Sequence, residues 1–230
     1  MDWQRIAYIL IGLLIGAVFH EYMHGRVADA MGDHTARAAG RLTLNPVPHI
    51  DPIGTIIMPI ALILISGGRF AFGYAKPVPV NPFFFKKPKR GMMMVALAGP
   101  LTNFSIAVVV SVIGLVLRLS FNLQFYLQND KLVTSGSNVW ADLAMLLYFI
   151  AMINILLGVF NLIPVPPLDG SHVLEYFLPP RAQEVYESFS RYGFILVFVV
   201  VFLLGDVIFG PITPLFNLVS KAVFGTIYAV

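Results

Sequence analysis

Residues 6 to 24 read IAYILIGLLIGAVFHEYMH, an apolar run of spanning length that ends in two histidines and a glutamate. About twenty apolar residues cross a bilayer as a helix, so the run predicts a first membrane helix. Ionisable groups at that depth cost several kcal/mol unless something compensates them, which makes each one a functional-site candidate. A cleaved leader is the competing reading of an apolar N-terminal run. It is disfavoured because Asp2 and Arg5 cancel, no small-residue cleavage site follows, and cleavage would discard the histidines.

The rest of the chain is of the same kind. Apolar runs at 92 to 117, 139 to 163 and 192 to 211 are each long enough to span. The stretch 53 to 66 is shorter, carries Pro59 and reads as a re-entrant hairpin, whereas 212 to 230 either spans or lies in the interface. With 58% hydrophobic and 12% charged residues and a mean hydropathy of +0.81, the chain lies far from a soluble composition. The expectation is an all-α polytopic membrane protein with about five to six membrane segments. It forms one membrane-embedded domain over 1 to 230, its core at about 6 to 180 and its C-terminal membrane segments at about 190 to 230. The net charge of +3 is dispersed in clusters flanking apolar runs, which fits membrane orientation and not nucleic acid.

Those clusters set a topology. Arg26, Arg37 and Arg41 follow the first run and only Arg5 precedes it, so the N-terminus is expected outside. The densest basic cluster, KKPKR at 86 to 90, is also expected inside, and a hairpin over 53 to 66 satisfies both constraints. Residues 92 to 117 then run outward, the polar loop 119 to 138 is external, and 139 to 163 return. His20, His24 and the segment NLIPVPPLDG (161 to 170) thereby meet at the cytoplasmic end of two helices.

Helix positions four apart lie about 40° apart around the axis, so His20 and His24 project from one face and can share one ion. Glu21 leans toward the same face without being a ligand. This is the H-E-x-x-H pattern, two imidazoles on zinc and a carboxylate as general base. There is no cysteine, so a third ligand has to come from His or carboxylate, and Asp169 at the matching depth is the candidate. The plainer alternative is a histidine pair hydrogen-bonded to neighbouring helices with Glu21 reaching the interface. His34, His49 and His172 have no helical i+4 partner of ligand type and read as loop or interface residues, with His172 close enough to Asp169 to support it. Asp206 is assigned no role.

Together, HEYMH in the first helix and NLIPVPPLDG at the end of a later one resemble the site-2 protease family of intramembrane zinc metalloproteases. GRLTLNPVPHIDPIGT (40 to 55), FGYAKPVPVNP (72 to 82) and ALAGPLTN (96 to 103) are similar to its compact bacterial and archaeal members, which lack a PDZ or CBS domain. The resemblance implies His20, His24 and Asp169 as zinc ligands, Glu21 as catalytic base, and Asn161 as a residue holding the substrate strand or the polarised carbonyl. It implies a prokaryotic cell-membrane enzyme that cleaves transmembrane protein substrates in the lipid bilayer. The sequence does not specify an oligomeric state. A metal-ion transporter with a His- and Asp-lined pathway is the alternative reading.

A helical substrate must unwind to be cut, and unwound backbone in a membrane needs new partners. In RFAFGYA (69 to 75), Phe70, Phe72 and Tyr74 alternate with smaller or polar residues, so a short β element near the active site is expected, with Phe72 on the substrate-binding strand. Aromatics that merely anchor an interfacial loop would give the same pattern.

Overall fold

The computed structural model describes residues 3–58, 61, 64–65, 73–128, 131–134, 139–225 and 228–229. Helix α1 (Trp3–Ala30) carries the first apolar run past both histidines, and a short α2 (Thr35–Ala38) follows. Arg26, His34 and Arg37 all engage the buried Asp29 carboxylate, which ties the end of α1 to the segment after it. A 3₁₀ turn (Val47–His49) and a π-helical turn (Pro52–Ile57) come next, and the Asp51 carboxylate accepts the Ile53 and Gly54 N–H groups at the start of the latter. That turn opens the stretch expected to form the hairpin. Most of the hairpin beyond it lies outside the described residues.

After a 3₁₀ turn (Pro82–Phe84), Pro88 opens the 34-residue helix α3 (Pro88–Phe121). A proline suits that first-turn position, where its missing N–H would have had no helical partner. The 23-residue helix α4 (Val139–Asn161) returns alongside it. Among the described residues, α1, α3 and α4 are the three helices long and apolar enough to cross a membrane. Small residues let them approach: a Cβ at Gly12 would stand 3.3 Å from the Ile150 backbone, and one at Gly16 2.6 Å from the Leu157 side chain. Close backbone approach replaces the hydrophobic drive that lipid cannot supply between helices.

Four shorter helices follow among the described residues: α5 (Asp169–Phe177), α6 (Pro180–Ser190), α7 (Gly193–Phe209) and α8 (Thr213–Phe224). At 17 residues α7 is about 25 Å long, short of the ~30 Å hydrocarbon core. Helix α8 packs Val219, Val223 and Phe224 against the small residues Ala107 of α3 and Ala141 and Ala144 of α4. The fold is thus mainly helical, and among the described residues three helices satisfy the spanning criterion where five to six segments were expected.

The segment 119 to 138, read as a loop, contains an antiparallel hairpin of β1 (Phe125–Gln128) and β2 (Lys131–Thr134), with Phe125 opposite Thr134. β3 (Tyr228–Ala229) joins β1 in parallel, giving the order β2-β1-β3. Phe125 is buried beneath the Phe224 ring, at a centroid distance of 4.7 Å. This sheet adjoins the C-terminal end of α3, whereas the histidines adjoin its N-terminal part, so the sheet is not the β element expected near the site. Of that expected element, residues 69 to 72, Phe72 included, lie outside the described residues. Gly73, Tyr74 and Ala75 belong to an irregular extended stretch that runs on to Asn81.

Candidate active site

The site is assembled from α1, the N-terminal part of α3 and the first turn of α5. His20 and His24 stand one turn apart on α1, both buried, with ring centroids 4.5 Å apart and planes at 89°. Both rings rest on Gly99 of α3, where a Cβ would lie 2.5 Å from His20 Cε1 and 2.6 Å from His24 Cε1. Only glycine leaves that space. Each ring is held through Nδ1: His20 on Asn103 Oδ1 at 2.6 Å, His24 on the Val95 carbonyl at 2.7 Å. A carbonyl can only accept, so His24 carries a proton on Nδ1, which leaves Nε2 as the nitrogen turned toward the site.

Asp169 reaches the same point from another part of the chain. The prolines of 164 to 167 keep the backbone out of helix after α4, Leu168 is extended, and Asp169 begins α5. The turn is so tight that a Cβ at Gly170 would stand 2.2 Å from the Leu162 carbonyl oxygen, which accounts for the glycine in LDG. Asp169 Oδ2 lies 3.0 Å from His20 Nε2 and 3.4 Å from His24 Nε2, buried and without a well-formed hydrogen bond. The three ligand-type atoms lie within 4.8 Å of one another. Two imidazole Nε2 atoms and a buried carboxylate oxygen converging at one point suit a divalent cation, and a two-His, one-carboxylate set is a zinc donor set.

Glu21 lies beside this cluster and is half-buried, and its Oε2 accepts the Val78 N–H at 2.8 Å. Val78 belongs to the stretch 73 to 81, which is tied down by a series of backbone hydrogen bonds. Tyr74 N–H donates to the Gly54 carbonyl and Lys76 N–H to the His49 carbonyl, while the Tyr74 and Lys76 carbonyls accept from Thr55 Oγ1 and Arg41 Nη2. The Asn81 N–H donates to the buried Asp33 carboxylate at 2.6 Å. The engaged N–H groups alternate over Tyr74, Lys76 and Val78, as in an extended chain, which leaves Ala75, Pro77 and Pro79 on the outward side. Two of these three have no N–H.

The remaining candidates sit elsewhere. Asn161 closes α4 and donates its amide to the Leu157 carbonyl of its own helix. His172 pairs with Glu175 at 3.3 Å and is 43% exposed, turned to solvent more than to the cluster. His34 pairs with Asp29, His49 Nε2 meets the Thr43 carbonyl, and Asp206 is exposed on α7. The sequence reading missed Asn103 and Asn154 as parts of the site. Both are fully buried amides inside apolar runs, joined by an Asn103 Nδ2 to Asn154 Oδ1 hydrogen bond of 2.9 Å. The rule that flagged the histidines, polar groups at membrane depth, would have flagged these as well.

Comparison with known proteins agrees with this chemistry. The model of peptidase family M50 matches residues 8–204. A protein of Bacillus subtilis named as a zinc metalloprotease, YwhC, is 37% identical over 206 residues, covering 89% of this chain and 84% of the relative. Rip2 of Mycobacterium tuberculosis, also named as a zinc metalloprotease, is 30% identical over 94% of this chain and 77% of its own length. The protease RseP of Photorhabdus luminescens is 34% identical over 84 residues, about a third of either chain. No solved structure matches the chain. The matched span takes in His20, Glu21, His24 and Asp169 alike, and the chain belongs to peptidase family M50, the site-2 protease family of intramembrane zinc metalloproteases.

Proposed function

We propose that the chain cuts a transmembrane segment of a membrane-protein substrate with His20, His24 and Asp169 holding zinc and Glu21 as general base. The observation that carries this reading is the convergence of two imidazole Nε2 atoms and the Asp169 carboxylate at one buried point, with the Nδ1 atoms engaged by Asn103 and Val95. His20, His24 and Asp169 would hold zinc, which would supply Lewis-acid polarisation of the scissile carbonyl and acidify a water. Glu21 takes a proton from the attacking water on a carboxylate oxygen and delivers it to the leaving nitrogen. The Val78 N–H fixes one oxygen of that carboxylate and leaves the other to exchange the proton.

Asn161, eight positions before Asp169, is assigned to hold the unwound substrate or its carbonyl, exchanging its present Leu157 partner for the substrate. The stretch 73 to 81 beside Glu21 is the platform along which substrate backbone lies, continuous with Phe72 in sequence. A transport pathway would string its ligands over several depths, whereas these converge at one. The basic residues Arg26 and Lys86 to Arg90 flank the histidine end of α1 and α3, which supports an active site toward the cytoplasm and an N-terminus outside. Helices α7 and α8 supply the further membrane segments.

Zinc analysis of four purified proteins tests the assignment. Wild type and Glu21→Gln are expected to hold about one zinc each, with Glu21→Gln inactive because the base is not a ligand. His20→Ala and Asp169→Ala are expected to lose most of it. Cleavage by Glu21→Gln, or full zinc in Asp169→Ala, overturns the assigned roles.

A further inference from the structure

We infer that Asn103 and Asn154 are positioning residues that lock His20 in the Nδ1–H tautomer and so keep its Nε2 lone pair on the metal position. The inference rests on the zinc reading above and goes beyond it by assigning a function to two amides on helices that contribute no ligand.

The orientation of both amides follows from groups that can only accept. Asn154 Nδ2 lies 2.8 Å from the Ile150 carbonyl and Asn103 Nδ2 lies 3.2 Å from the Gly16 carbonyl. A backbone carbonyl has no proton to give, so each contact has to be made by an amide NH₂ and not by the amide oxygen. Asn154 therefore turns its Oδ1 toward Asn103, which donates to it at 2.9 Å. Both Asn103 protons are then used, one on Gly16 and one on Asn154. Its Oδ1 is left as a pure acceptor, 2.6 Å from His20 Nδ1. For that contact to attract, His20 has to carry a proton on Nδ1, so the neutral ring keeps its lone pair on Nε2. Had Asn103 been free to rotate, its NH₂ could face the ring, stabilise the opposite tautomer and put a proton where the metal must bind.

The arrangement runs across three helices, from α4 through α3 to α1, with both asparagines fully buried. His24 needs nothing of the kind, because a backbone carbonyl already fixes its tautomer. A ring whose partner is a reversible side chain needs that side chain held, and Gly16 and Ile150 hold it. Partners of this sort commonly change metal affinity about ten- to a hundredfold when removed.

The test separates tautomer control from packing. In Asn103→Asp the carboxylate still accepts from His20 but can donate neither to Gly16 nor to Asn154. It is expected to keep wild-type zinc affinity in a chelator competition while unfolding at a lower temperature. Asn103→Leu, of similar size and without an acceptor, is expected to bind zinc about ten- to a hundredfold more weakly. Nitrogen-15 spectra of labelled histidine in the zinc-free wild type are expected to show His20 protonated on Nδ1. If Asn103→Leu binds zinc as tightly as wild type, or zinc-free wild type carries the proton on Nε2, the inference is overturned. Should Asn103→Leu not fold, the wild-type spectrum decides alone. Zinc retained at full affinity in His20→Ala overturns instead the underlying metal assignment, so the two failures are distinguishable.

Discussion

The Val78 N–H donates to Glu21 Oε2 at 2.8 Å across 57 positions of sequence, fixing the carboxylate beside the histidine pair. The neighbouring Pro77 and Pro79 cannot substitute as donors. A hydrogen bond to a charged group is worth about 1.5–3 kcal/mol, so Val78→Pro should slow cleavage roughly ten- to a hundredfold while zinc content stays at the wild-type level. Val78→Ala keeps the N–H and should cleave nearly as wild type. Equal turnover in all three proteins would show that Glu21 is oriented by something else.

Gly99→Ala is expected to be more damaging than its size suggests. The new methyl would stand 2.5 Å from His20 and 2.6 Å from His24, and buried rings tied through Nδ1 to Asn103 and Val95 of the same helix could retreat only by giving up those bonds. Zinc content and cleavage should fall together, with helix content by circular dichroism preserved. A fully zinc-loaded Gly99→Ala protein would contradict the close packing seen here.

The two halves of the site differ in how openly the sequence displays them. The ligand pattern is readable because H-E-x-x-H is a local geometric statement: four positions make one helical turn. The partnership with Asp169 follows from membrane depth, since two helix ends on one side of a bilayer are confined to the same layer. Asn103 and Asn154 were not read, because a lone amide in an apolar run does not disclose which helix it will face. The Val78 contact was equally hidden, since a proline-rich extended stretch has no periodicity to mark an inward side. The hairpin of β1 and β2 escaped because strands of four residues containing Gln128, Lys131 and Thr134 resemble a polar loop.

Asp33 gives the fold a pH dependence of its own. Burial pushes its carboxyl up, but hydrogen bonds from the Thr35 hydroxyl and the Asn81 and Thr35 N–H groups more than offset this and leave it below the ordinary carboxylate value. A depressed folded-state value means that its stabilisation is fully present above the unfolded-state value of about 3.9 and is lost as pH falls through the lower, folded one. Thermal unfolding in detergent should therefore drop below about pH 4, and part of that drop should vanish in Asp33→Asn, which should also be less stable at pH 7. An identical acid limb in both proteins would remove Asp33 from the account.

The orientation can be checked with single cysteines, since the chain has none of its own. Trp3→Cys and Asp130→Cys should react with an impermeant thiol reagent added outside intact cells, and His34→Cys and Lys89→Cys should not. External labelling at position 89 would mean that the stretch 53 to 66 crosses the bilayer.

The outward side of 75 to 79 has a further consequence. Its carbonyls at Ala75, Pro77 and Pro79 meet few N–H groups of their own, so two copies brought edge to edge along this stretch would oppose oxygen with oxygen. Such a rim discourages the self-pairing to which bare strand edges are prone. A guest chain docking there would have to bring its own N–H donors. Along that rim the guest's prolines would be tolerated at every second position and rejected at those between, a rule that a substrate series with proline walked through it could read directly.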